Sequence, residues 1–260
     1  GKVLGRRRRD VILGSKVGGA PVGAVTAGRL SRTSITSGLE ASLRRLQTDY
    51  LALYYLHVPD DSVPLEETLE TMDELVRQGK VRYPAASNYA SWQICRMHWL
   101  AEKNGYTPVT VTQAMFSLLA RGIEQEYLPM CRQLGVAAIA FNPLAGGLLT
   151  GKHPPDAPLP GTRFERNRGY VGRYWNTANL QAVQEFARIA EAAGRSLVGL
   201  SLSWLLHHTP VDCVVLGASG LEQLQENLKA IGQGALSADT AAACDQVCAQ
   251  LRGTMPHYSR

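Results

Sequence analysis

Short β-branched or aromatic runs alternating with amphipathic helical stretches predict an α/β fold built on parallel strands. Two further observations narrow it. The runs are nearly continuously apolar, as strands covered on both faces must be, and polar residues collect at their C-terminal ends. In order, residues 11–16 read as a strand and 33–46 as a helix, with Ile35, Leu39, Leu43 and Leu46 at helical spacing. Residues 51–57 are the next strand and 63–78 the next helix, closed by Gly79. Residues 81–87 form a strand, and 91–104 a helix with Gly105 just past its end. Strand 109–114, helix 124–134 closed by Gly135, and strand 136–141 follow. A long loop runs over 142–177, then helices 180–193 and 197–208, strand 212–216, and helices 221–231 and 238–251.

This alternation leaves a doubly wound sheet or a (β/α)8 TIM-type barrel. Lys16, His57, Ser87, Asn88, Gln113 and Asn142 stand at strand ends. In a barrel those ends open on one face, where active sites are built, and the convergence selects the barrel. Six strands are two short of the eight it needs. The first two strands are therefore placed ahead of Gly1, and 1–260 reads as a single barrel domain, N-terminally incomplete.

With 260 residues, 45% hydrophobic and 19% charged, the chain can bury a sizeable core. Gly 25 and Pro 13 are too few for a collagen-like or Pro/Gly-rich disordered chain. No apolar stretch approaches the roughly 18 residues of a membrane span, and no apolar region follows the basic start as in a signal peptide. A cytoplasmic protein without membrane or nucleic-acid partners is expected. The net charge is +5, and residues 6–9, all arginine, precede a strand-like segment without interleaved aromatics. They read as a solvated connection rather than a nucleic-acid arm. A phosphorylated small molecule suits the mild positive balance better. Cys95, Cys131, Cys213, Cys244 and Cys248 are odd in number and scattered, as reduced thiols are. Cys244 and Cys248 lack the further His or Cys of a zinc set, so no metal site is expected.

The runs RLQTDYLALYYLH, PLEETLETMDELVRQGKVRYPAASNYASWQ, QAMFSLLARGIE, GVAAIAFNPLAGGLLTGK and VVLGASGLEQLQEN resemble the aldo-keto reductases, in the same order and over nearly the whole chain. FNPLAGGLLTGK, Tyr174-Trp175 after Arg173, His207-His208, LEQLQEN and the tail most resemble the aflatoxin-aldehyde/succinic-semialdehyde reductase branch. Voltage-gated potassium channel β-subunits carry similar motifs more distantly.

The resemblance implies NADPH-dependent reduction of an aldehyde or ketone to an alcohol. Hydride passes from the nicotinamide to the carbonyl carbon, a Tyr gives the proton, a Lys–Asp pair lowers that Tyr's pKa and a His orients the carbonyl. A phenol with pKa about 10 is too weak an acid at neutral pH unless a cation stabilises its phenolate. The matching positions are Lys16 and His57; the Tyr and Asp, with an N-terminal hairpin, are implied ahead of Gly1. Asp49, Tyr50, Tyr54 and Tyr55 are set aside, because they stand at the start or in the interior of a different strand. Alone, a Lys at a strand end is more often a solvated charge and a His in an apolar run a satisfied core residue. If the 260 residues are everything, an open barrel of low stability and impaired catalysis is expected. The rival is a nucleotide-binding or regulatory protein of the same family with impaired catalysis.

The resemblance also implies a cofactor set. Ser87, Asn88 and Gln113 match the residues that bond the nicotinamide carboxamide, and Phe116 stands where the family has a stacking Tyr. Asn142, Pro143, Leu144, Ala145, Gly146, Gly147, Leu148 and Lys152 match the loop over the pyrophosphate, which makes 142–177 a cofactor and substrate loop. Arg163 is a second phosphate candidate. Ala218, Ser219, Gln223, Glu226 and Asn227 match the adenosine-phosphate segment, at a helix N-terminus whose dipole favours the 2′-phosphate. Ser219 and Gln223 replace the Lys or Arg common there, so NADPH against NADH stays open. His57, Tyr170, Arg173 and Arg260 match substrate contacts, with 252–260 as a C-terminal substrate tail. Two arginines favour an aldehyde carrying a carboxylate. The implied partner is a small carbonyl compound; a homodimer stays open. Pro84-Ala85-Ala86 departs from the pattern, since a proline in a central parallel strand removes a ladder donor. It reads as a strand start or as relaxed constraint.

Overall fold

The computed structural model describes residues 1–19, 28–154 and 156–252. The chain divides into two compact units, Gly1–Ala114 with Gln125–Ala138 and Met115–Glu124 with Ile139–Arg260. Among the described residues there are six strands, and the ladders within each unit are parallel.

The first unit holds β1 (Gly14–Val17), α1 (Arg32–Leu46), β2 (Leu51–Leu56), α2 (Leu65–Arg77), β3 (Val81–Ser87), α3 (Ser91–Asn104), most of β4 (Val111–Met115) and α4 (Tyr127–Leu134). Its strands pair in chain order, β1 with β2, β2 with β3 and β3 with β4. Helix α1 forms because Ile35, Leu39 and Leu43 recur on one face and are buried. Each such side chain contributes roughly 1.5–3 kcal/mol, against about 1 kcal/mol for a cap such as Ser31, which accepts from Ser34 N–H. Packing, more than capping, holds the helix. On the face of β2 toward α1, Tyr54 is wholly buried and donates to the Ile35 carbonyl at 2.9 Å.

The second unit continues β5 (Ala137–Phe141) into α5 (Arg163–Arg166), α6 (Arg168–Tyr174), α7 (Thr177–Ala192), α8 (Leu197–His207), β6 (Cys213–Val215), α9 (Leu221–Ile231) and α10 (Ala238–Arg252). Ile139, Ala140 and Phe141 pair with Cys213, Val214 and Val215. Apolar nearly all round, α8 is buried, and α7 and α9 pack on it. Arg121 bonds Glu124 at 2.7 Å and Asp245 of α10 at 2.6 Å, and its guanidinium lies 4.6 Å from the Trp204 ring centroid. None of the five cysteines forms a disulfide.

Several elements differ from the sequence expectation. The first strand starts at Gly14, not at residue 11. The N–H groups of Ala52 and Leu53 both bond the Leu13 carbonyl, so the ladder opens there and leaves Ile12 80% exposed. The helix expected over 124–134 starts at Tyr127, after a 3-10 turn at Gly122–Glu124, because Pro129 fits only within a first turn. The loop 142–177 contains the 3-10 segment Ala145–Thr150 and both α5 and α6, anchored by buried Phe164 and Tyr174. The arginine run forms a 3-10 helix, Gly5–Asp10, in which Arg7 and Arg9 are exposed, as a solvated connection would be, while Arg8 docks on the fold. Arg8 donates to Thr48 Oγ1 (3.1 Å) and the Tyr50 carbonyl (2.9 Å), and its guanidinium sits 4.2 Å from the Tyr50 ring.

Pro84 lies in the middle of β3, not at its start. Its carbonyl accepts from Thr110 N–H at 3.1 Å, one residue before the β3–β4 register opens at Ala85 and Val111. A residue's N–H and C=O face the same neighbour in a strand, so the donor it lacks would point where that ladder has not begun. Relaxed constraint is not needed to explain it. Pro84→Ala is expected to cost under about 1 kcal/mol, mainly by loosening the unfolded chain. Urea unfolding followed by circular dichroism measures this; a loss of several kcal/mol would contradict the register.

Candidate functional site

Period-two alternation and the ladder register assemble the first unit's polar residues on one sheet face. Lys16 pairs with Tyr55, and Tyr55 with Ala85. His57 is two residues beyond Tyr55 and Ser87 two beyond Ala85, so both share that face, and Ser87 pairs with Gln113. Lys16, His57, Ser87 and Gln113 are thus gathered at the C-terminal ends of β1 to β4.

Side-chain bonds tie the group together. The Lys16 ammonium donates to Gln113 Oε1 and stands 5.3 Å from the Tyr55 ring centroid. Ser87 Oγ donates to the Gln113 carbonyl at 3.0 Å. Asn88 Nδ2 donates to the His57 carbonyl at 2.9 Å and to Ser87 Oγ at 3.2 Å. Asn88 takes φ 63, the left-handed region that asparagine tolerates better than most residues. Burial lowers the Lys16 pKa from the usual 10.5. Burial and, second, the charge of Lys16 hold His57 below 6.5, which leaves the imidazole neutral at physiological pH. The neutral ring stabilises the fold above pH 6.5. That contribution is lost as pH falls from there through the depressed folded value, because the unfolded chain takes the proton first.

In the second unit, Asn142 (φ 66) and Ala145 (φ 49) are also left-handed. Asn142 Nδ2 donates to Tyr174 Oη at 3.0 Å. Pro143, Ala145 and Leu148 are buried, so these positions can meet a ligand only through backbone. Gly146 lies against Tyr170, where a Cβ would stand 2.6 Å from the ring, while Gly147, at φ 111, faces open space. Lys152 is exposed. The guanidinium groups of Arg163 and Arg173 lie 5.0 and 5.5 Å from the Tyr170 ring. His153 packs edge-on to Phe164 (5.1 Å) and Trp175 (5.5 Å) and braces the same segment.

The remaining candidates spread more widely. Phe116 is 0% exposed and meets Trp204 edge-on at 5.5 Å, so in this structure the ring presents no free face. Gln223 Oε1 accepts from Ser219 N–H (3.0 Å) and Oγ–H (2.9 Å), in front of an α9 N-terminus that has no side-chain cap. Ala218 and Glu226 are exposed, and Asn227 is 5% exposed, turned inward. Arg260 lies outside the described residues. Sequence reasoning set Tyr55 aside as a candidate for the proton donor and gave Tyr174 no role beyond the motif; the structure puts both beside candidate residues. The signals were present: Tyr55 shares a strand face with His57 two residues on, and Tyr174 opens the Tyr-Trp pair after Arg173. Among the described residues no group of three or more His, Cys, Asp or Glu could hold a metal ion, and no helix is long and apolar enough to cross a membrane.

A model of the aldo/keto reductase family matches residues 1–249. The chain is similar to aflatoxin B1 aldehyde reductase member 2 of Mus musculus, at 37% identity over 246 residues, 89% of this chain and 67% of the relative. Similarity to aldo-keto reductase family 7 member A3 of Homo sapiens is 36% over 246 residues, 89% and 74% of the two chains. A probable voltage-gated potassium channel subunit beta of Arabidopsis thaliana is 33% identical over 236 residues, 88% and 70%.

Two outcomes test this geometry. Lys16→Met should raise the His57 pKa part of the way to 6.5, since burial, the larger cause, remains; NMR titration of the imidazole Cε1–H reads it, and an unmoved pKa would show that the ammonium is not felt. Gly146→Ala should cost about 1 kcal/mol or more. Adding Tyr170→Ala should recover part of that loss in a double-mutant cycle of unfolding free energies, whereas simple additivity would refute the contact.

Proposed function

The chain belongs to the aldo/keto reductase family, and on that footing we propose that its strands are those of a (β/α)8 barrel and that it reduces aldehydes and ketones to alcohols with NADPH. The observation that carries this reading is the one-face group of Lys16, His57, Ser87 and Gln113. When bound, the nicotinamide supplies the hydride. Neutral His57 can donate an N–H to the substrate oxygen and orient the carbonyl. Lys16 supplies the positive charge that makes a tyrosine phenol acidic enough to protonate that oxygen.

The atoms left uncommitted suit a carboxamide. Lys16 takes the Gln113 amide oxygen and leaves its Nε2 donors; Asn88 spends its amide nitrogen and leaves Oδ1 to accept. One donor and one acceptor are what a planar carboxamide needs. In the second unit, the open backbone at Gly147, with Lys152 and Arg163, suits phosphate, and the uncapped α9 N-terminus with Ser219 and Gln223 suits a further phosphate. Tyr170 and Arg173, with Arg260, are the substrate contacts in this reading, favouring an aldehyde with a carboxylate.

Binding without turnover is the second reading. The bond from Lys16 to Gln113 favours it, because it commits the ammonium to an amide oxygen.

Fluorescence titration with NADPH and NADH, followed by 4-nitrobenzaldehyde while the reduced-nicotinamide absorbance is watched, separates the readings. Turnover that falls about a hundredfold or more in Lys16→Met and His57→Asn establishes the first. Binding without turnover leaves the second. No binding of either nucleotide sinks both.

A further inference from the structure

Next along the chain from His57 and Asn88, the first unit has a cavity of about 550 Å³ between the segment after β2 and the start of α3. That volume is within the roughly 300–1,000 Å³ of small-molecule sites. Leu30, Val63, Pro64 and Met97 give it apolar walls, and Trp92, 62% exposed, also lines it. Tyr89 is buried, donates to the Val58 carbonyl at 3.4 Å, and has its phenol pKa raised by burial and then by the charges of Asp60 and Asp61.

The polar lining sorts into spent and unspent groups. Asp60 accepts from Leu30 N–H (3.1 Å), Ser62 N–H (3.2 Å) and Ser62 Oγ–H (2.5 Å). Gln93 Oε1 accepts from Ala90 N–H at 2.8 Å, at the start of α3. Both serve the backbone. Asp61, Glu66 and Arg96 line the same cavity without a hydrogen bond or ion pair to any described residue. Two carboxylates and one guanidinium, all three exposed, thus line the cavity together with Trp92 and have no partner among the described residues.

We infer that this cavity is a second binding site, for a small zwitterion with an apolar body: a free amino acid with an aromatic side chain, or a molecule of that chemistry. The ammonium pairs with Asp61 and Glu66, the carboxylate with the planar fork of Arg96, and the apolar body lies on Trp92 and against Met97. Both charges are required. An anion alone meets two like charges, and a cation alone leaves Arg96 unpaired and repelled. Testing it needs neither turnover nor nucleotide, so its failure and that of the proposed reduction are distinguishable.

Isothermal titration calorimetry of the full chain with L-phenylalanine, phenethylamine and 3-phenylpropionate compares one body with both charges, the positive alone and the negative alone. L-phenylalanine should bind at least about tenfold more tightly than either. Arg96→Gln should erase its advantage over phenethylamine, Asp61→Asn with Glu66→Gln its advantage over 3-phenylpropionate, and Trp92→Ala should weaken L-phenylalanine about tenfold. The three charged positions are exposed, and an unmoved thermal unfolding midpoint checks that the fold persists. Equal affinities for the three probes, no binding of L-phenylalanine, or an advantage that survives Arg96→Gln would overturn the assignment.

Discussion

A parallel ladder offers its side chains only two faces, and the pairing of Lys16 with Tyr55, Tyr55 with Ala85 and Ser87 with Gln113 decides which groups can meet. A slip of one residue in β2 would turn Tyr55 and His57 toward the helices and bring Tyr54 inward. The bond from Tyr54 to the Ile35 carbonyl opposes that slip, because breaking it leaves buried polar groups unpaired at about 1–3 kcal/mol. The low pKa of His57, the desolvated ammonium of Lys16 and the amide network of Ser87, Asn88 and Gln113 all follow from the same register. The electrostatics of the group are thus a consequence of strand pairing.

Backbone conformation supplies a second constraint. Among the described residues, Gln47, Asn88, Asn142 and Ala145 are the non-glycine positions with positive φ. Gln47 ends α1, as a left-handed cap does. The other three are at or just beyond the ends of β3 and β5, where the chain must turn sharply after a strand. Asparagine meets that demand at low cost; Ala145 is held by complete burial. Such strain gathers where backbone has to present itself to a ligand.

In the second unit a polar network holds the C-terminal helix. Arg121 reaches Asp245, Glu124 reaches Arg252 at 2.6 Å, and Cys248 Sγ donates to the Leu118 carbonyl at 3.2 Å. Exposed ion pairs are worth at most about 1 kcal/mol each, but the Arg121 side chain is only 15% exposed and also covers Trp204. Apolar packing around Trp204 and Phe116 carries most of the energy, and the charges fix which helix packs there. The same packing accounts for Phe116, whose ring is a core element in this structure.

The sequence by itself determined the alternation of strands and helices, most of their bounds and the strand-end clustering of Lys16, His57, Ser87, Asn88 and Gln113. These are legible because periods of two and 3.6 residues are written locally. The resemblance to a family was equally legible, since its motifs are contiguous. Tertiary structure alone decided that Tyr55 lies beside Lys16, that Gln113 takes the ammonium, that Pro84 costs no ladder bond, that Arg8 docks on Tyr50 and that the 142–177 segment folds into short helices around buried aromatics. Each depends on which distant segment arrives opposite, and long-range pairing is set by the packing of the whole unit, which no local pattern records.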